Sequence, residues 1–171
     1  MDTIRGGASD WDVSRPFSSY LRTLATLIVH PARFFEVLPR VPDPRAPGLF
    51  LVFCGLPSAV VWFLFGGFVP ALVALVAPVP ISLALAILYH LGSIGGRYGY
   101  VVTWRVVSYP LGYGLPLAAV PVARWVALVY FGVLLMSLGL SKVREIPAWR
   151  GVLVSFPVAA LIFGAYRGLA G

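Results

Sequence analysis

The sequence predicts an all-α, polytopic membrane helix bundle of about five transmembrane helices, preceded by amphipathic interfacial helices. Three observations predict it. The 171 residues are 60% hydrophobic and 11% charged, with a mean hydropathy of +0.91, whereas an ordinary soluble domain carries roughly 25% charged residues. No Asp, Glu, Lys or Arg occurs from Ala46 to Gly96, a gap that holds two spans of about 20 apolar residues and the turn between them. Most of the cations flank apolar runs instead of forming one patch, the distribution expected beside anionic lipid headgroups.

The chain opens on the polar stretch "MDTIRGGASDWDVSRP", and the first hydrophobic segment carries Arg22, so no cleavable signal peptide is visible. From Phe17 to Ile28 the large apolar residues Phe17, Tyr20, Leu21, Leu24, Leu27 and Ile28 recur at helical spacing, with Ser18, Arg22, Thr23 and Thr26 off that face. Too short and too polar on one side to cross a bilayer, this helix is expected to lie on the membrane surface. Pro31 opens a second short helix, "ARFFEVL", whose Phe34 and Phe35 would dip into the interface. The run "PRVPDPRAP" at 39–47 reads as an extended, solvated linker. Residues 1–47 therefore form a cytosolic or interfacial segment and 48–171 the transmembrane bundle.

Five apolar segments follow, at about 48–66, 70–91, 107–122, 125–141 and 149–166. "FGGFVP" at 65–70 supplies the first turn. The third segment is the weakest, because Pro110, Gly112, Gly114, Pro116 and Pro121 would bend it or let it enter and leave on one side. With five crossings, Arg33, Arg40, Arg45, Arg97, Arg105, Lys142, Arg144 and Arg150 fall on one side and only Arg124 and Arg167 on the other. Lys and Arg are retained inside, so the N-terminus is expected in the cytoplasm and the C-terminus opposite. Trp104, Trp125 and Trp149 stand at span ends, where an amphipathic ring suits headgroup depth. Ala160, Gly164 and Gly168 make a small-residue stripe for close helix approach, within the monomer in preference to a homo-oligomer, and Gly151 and Ser155 begin a similar ridge.

Chemistry is sparse. The glycine-rich "LGSIGGRYGY" at 91–100 has neither the GxxxxGK[ST] nor the GxGxxG spacing that cradles phosphate. Its glycines suit a helix end at Gly92 and a reversal at Gly95 and Gly96. Arg97 and Arg105 are placed to touch lipid phosphates. His30 and His90 stand apart from any Cys or carboxylate at ligand spacing, so no metal or cofactor is expected. Five of the six acids lie at or before Asp43 and the sixth, Glu145, follows the fourth segment, leaving the spans without the carboxylates that proton relays need. Ser58, Ser82, Ser137 and Ser155 have no histidine nearby in sequence, and Cys54 reads as a small core hydrophobe. The net charge of +7 is assigned to anionic headgroups, not to nucleic acid.

The motif "HPARFFEVLPR", the proline-rich linker and "LGSIGGRYGYVVTWRVVSYPLGYGLPLAAVP" together resemble the Yip (Ypt-interacting protein) domain family of five-span membrane proteins, in its prokaryotic form. The matching positions are Pro31, Phe34 and Phe35, then Gly95, Gly96 and Arg105, then Ser108, Tyr109 and Pro110, across about residues 31–166. The resemblance implies a cytosolic N-terminus and no established enzymatic activity. Eukaryotic relatives bind prenylated Rab GTPases through an acidic and aromatic motif that this chain lacks, so that property does not carry over. The function expected is a non-enzymatic multi-pass protein that organises the membrane or recruits a protein partner. The alternative is a small transporter or lipid translocator whose path follows the third segment beside Ser108, Tyr109 and Tyr113.

Overall fold

The computed structural model describes residues 14–40, 44–118 and 123–170; at 115–118, 123–124, 162–163 and 165–170 it describes backbone alone. The described residues are helical with no strand: α1 (Pro16–Val29), α2 (Pro31–Val37), α3 (Arg45–Gly66), α4 (Phe68–Val76), α5 (Pro78–Gly92), α6 (Tyr100–Ala118), α7 (Ala123–Ala127), a π-helical stretch (Leu128–Leu135), α8 (Met136–Arg144) and α9 (Ala148–Ala170). Among the described residues, three helices are long and apolar enough to cross a membrane: Arg45–Gly66, Phe68–Gly92 and Trp125–Arg144, with mean hydropathies of 2.2, 2.5 and 1.9. Ala148–Leu161 is a shorter apolar helix.

Boundaries follow from local chemistry. Gly67, at φ +84, turns the chain out of α3 where the sequence "FGGFVP" predicts a turn. The second predicted span is α4 and α5 in succession. Pro78 and Pro80 offer no amide hydrogen to carry the ladder past Ala77, though Ala77 N–H still reaches Val73 O and Ile81 N–H reaches Ala77 O. The expected linker is three residues shorter at its end, since Arg45, Ala46 and Pro47 already belong to α3; residues 41–43 lie outside the described part.

The third segment departs most from expectation. It begins at Tyr100, not 107, and runs unbroken past Pro110 to Ala118. Every residue from Val102 to Pro110 is buried, which requires neighbours on all faces of the helix. One core joins Leu27, Phe34, Phe50, Tyr109, Tyr113 and Phe131; the other joins Tyr89, Trp104, Val107, Met136 and Leu140. Helix α6 contributes to both and is the axis of the bundle. Expectations for residues 119–122 fall outside the described part.

Small residues set several approaches. A Cβ at Gly139 would lie 2.6 Å from Val106 Cγ1 and 2.8 Å from Phe35 Cε1, so α8 meets α6 and α2 there. A Cβ at Gly151 would lie 2.6 Å from Ser137 O. The ridge Gly151, Ser155, Ala159 is buried against the bundle, as small-residue packing between apolar helices requires. The stripe expected to pack inside the monomer does not: Ala160 and Gly164 face outward, with nothing within 4 Å of a Cβ at Gly164. Gly168 lies where only backbone is described.

Candidate functional site

Three connecting segments meet at one end of the bundle: the stretch around Pro39 and Arg40, the loop from Ser93 to Gly99, and the corner at Glu145–Pro147. A buried guanidinium ties the second of them to the end of α8, while Arg105 and Arg40 tie in the first. Arg144, the last residue of α8, is 2% exposed. Its Nη1 lies 2.6 Å from Tyr98 O, 2.7 Å from Thr103 Oγ1 and 2.7 Å from His90 Nδ1, and Nη2 donates to Ser93 O at 3.0 Å. Two N–H groups on Nη1 face three acceptors. Thr103 resolves the count by accepting from Arg144 and donating to His90 Nδ1, 3.1 Å away. This network assigns Nδ1 as an acceptor and the ring proton to Nε2.

No carboxylate is among these contacts, so carbonyl dipoles, a hydroxyl and an imidazole replace water around the charge. Uncompensated, burial of such an ion costs several kcal/mol. The backbone closes the site from outside: Arg97 N–H donates to Arg144 O at 3.2 Å. Gly95 turns at φ +91, and a Cβ at Gly96 would sit 2.7 Å from Arg144 Nε. The glycine pair read as a tight reversal therefore also makes room for the arginine. Gly92 ends α5 as expected, and its lack of a side chain admits Val154 of α9, 2.6 Å from where a Cβ would be.

Outside this cluster lies a shell of exposed charges. Glu145, in the left-handed region at φ 57 and ψ 34, accepts from Arg97 at 3.2 Å and faces Arg40 at 3.7 Å. Its hydrogen bond holds the Arg97 guanidinium above the ordinary arginine value. Lys142 Nζ donates to Glu36 at 2.7 Å, Arg150 Nη2 donates to Ile94 O at 2.6 Å, and Arg40 and Arg97 both lie over the Tyr98 ring.

The residues singled out from sequence separate into two groups. Arg97 is exposed at this end, where it pairs with Glu145 and lies over the Tyr98 ring. Arg105 is not: it is 1% exposed inside α6, with Nη1 donating to Pro39 O at 2.8 Å, so it ties the N-terminal segment to the bundle and touches no lipid. Phe34 and Phe35 are 0% exposed. They do not dip into the interface, because Phe34 stacks edge-on against Tyr109 at 5.3 Å and Phe35 fills the space left by Gly139. Tyr109 and Tyr113 are buried beside Phe50, and Tyr113 OH donates to Tyr20 O at 2.8 Å. Ser108 bonds Trp104 O at 2.8 Å. Trp104 is a core residue whose Nε1–H donates to Ser82 Oγ at 2.8 Å, whereas Trp125 and Trp149 are exposed.

Sequence reading passed over Arg144 and Thr103 as site residues and left His90 without a partner. The signal was a helix-terminal arginine four elements distant from a lone histidine, which no local pattern connects. Among the described residues no three His, Cys, Asp or Glu side chains gather as a metal site. The chain matches no family model, no curated protein and no solved structure.

Proposed function

We propose that the chain is a non-enzymatic, multi-pass membrane protein of the Yip-like type, which recruits a partner to the membrane through its arginine-rich end. The observation that carries this reading is the gathering of exposed Arg40 and Arg97 with half-buried Lys142 and Arg150 at the end where three connectors meet, braced from within by Arg144. Retention of cations on the inner side orients that end to the cytoplasm. In this topology α3, α4 with α5, α6, α7 through α8, and α9 are five crossings, and the C-terminus lies opposite. The fitting partner is an acidic protein surface or another membrane protein, with anionic lipid headgroups alongside.

The translocator reading places its path along Ser108, Tyr109 and Tyr113. These side chains are buried among aromatic rings and bonded to backbone, so the packing favours recruitment over transport. Purification of the tagged protein in native lipid discs tests the choice. A partner that co-purifies reproducibly, and is lost on charge reversal of Arg97 and Arg150, is expected. Solute flux or lipid scrambling by reconstituted wild-type protein, with no partner retained, would overturn the reading.

A further inference from the structure

Helix α1 leaves large apolar side chains uncovered on its outward side while small polar ones pack inward beside Leu27. Its buried positions are Ser19, Thr23 and Leu27, at 1%, 0% and 0% exposure, while Phe17, Leu21, Ile28 and Val29 are 74%, 64%, 48% and 64% exposed. Tyr20 and Leu24 lean on the core beside them, so apolar side chains occupy the inward and the outward side alike, and large apolar side chains left outward suit surroundings of hydrocarbon.

The helix also lies against the flank of the bundle, not beyond its end. Tyr113 OH donates to Tyr20 O at 2.8 Å, and Tyr130 OH donates to Ile28 O at 3.3 Å. At the α-helical rise, Tyr113 and Tyr130 stand roughly 20 Å along their own helices from the Arg144 end. Phe17 rests edge-on against Phe53 of α3, ring centroids 5.2 Å apart. The outward face of α1 is thus continuous with the apolar exterior of α3.

We propose that α1 is built into the membrane-embedded part of the bundle, its Phe17, Leu21 and Ile28 face covered by lipid acyl chains. The proposal rests on the membrane reading of the preceding section and goes beyond it, since the sequence alone places α1 on the surface. Arg15 and Arg22, both exposed, have side chains long enough to carry their guanidinium groups toward headgroup phosphates while their stems lie along the apolar face. That sets α1 within reach of one interface instead of at the bilayer centre.

Single-cysteine variants Phe17→Cys, Leu21→Cys and Ile28→Cys test this, with Phe63→Cys on the exposed side of α3 as reference. Each carries an environment-sensitive fluorophore in vesicles of phosphatidylcholine and phosphatidylglycerol; native Cys54 is 1% exposed and takes no label. Quenching by acyl-chain spin-labelled lipid at 17, 21 and 28 is expected to lie within about twofold of that at 63, with aqueous iodide having little effect at any of the four. Iodide quenching at 17 and 21 while position 63 stays lipid-quenched would overturn the proposal and leave the membrane reading standing. So would lipid quenching that appears only on dilution of the protein in lipid, which would assign the face to a second copy. Iodide quenching at 63 as well would sink the membrane reading and the proposal together.

Discussion

The guanidinium of Arg144 lies 2.7 Å from the Nδ1 of His90, joining the end of α8 to the end of α5 across 54 residues of sequence. Thr103 of α6 touches both, so one buried cation ties three helices and the loop between α5 and α6. The geometry is a fork: Nη1 serves Tyr98 O and Thr103 while Nη2 serves Ser93 O.

A lysine cannot reproduce that fork, because its single ammonium cannot reach both branches. Arg144→Lys is therefore expected to behave like Arg144→Ala, each losing about 1–3 kcal/mol of stability as buried acceptors go unpaired. Thermal unfolding in mild detergent checks it. A lysine variant that melts with the wild type would show that charge alone, and not the bidentate pattern, holds this end together.

The loop glycines divide by what surrounds them. A Cβ at Gly96 would meet Arg144 Nε at 2.7 Å, while one at Gly99 meets nothing within 4 Å. Gly96→Ala should cost about 1–3 kcal/mol by forcing the guanidinium aside, and Gly99→Ala should stay within about 0.5 kcal/mol of wild type. The same melting assay separates them.

A parallel contrast holds within the helices. Gly139→Ala drives a methyl into Val106 and Phe35 and should cost about 1–3 kcal/mol, even after the gain in helix propensity. Gly164→Ala meets open space and should be neutral or stabilising by up to about 1 kcal/mol. Loss of stability at 164 in detergent-solubilised monomer would mean that the stripe packs inside the chain after all.

The apolar runs were enough to read an all-helical chain with long apolar helices, and the first two apolar stretches and the "FGGFVP" turn fall where α3 to α5 place them. What stayed hidden were polar groups whose partners come from far along the chain. Arg105 borders an apolar run on paper, yet it lies within α6, which starts at Tyr100, and its Nη1 donates to Pro39 O inside the bundle. Trp104 looks like an interfacial anchor until Ser82 supplies a buried acceptor. Helical spacing grouped Phe17, Tyr20, Leu21, Leu24, Leu27 and Ile28 on one apolar face of α1, but the structure divides them: Leu27 is buried and Tyr20 and Leu24 pack on the core, while Phe17, Leu21 and Ile28 face outward. The π-helical winding at Leu128–Leu135, where Gly132 O accepts from Tyr89 OH at 3.1 Å, leaves no mark in an otherwise uniform apolar run.

The orientation of the arginine-rich end across a bilayer is tested most directly by one labelling measurement on Arg97→Cys, with Cys54 buried and silent. A membrane-impermeant maleimide is expected to label the variant in inverted membrane vesicles and to leave it unlabelled in intact cells. Labelling from outside intact cells, or full labelling of protein recovered in solution without membranes, would contradict the account.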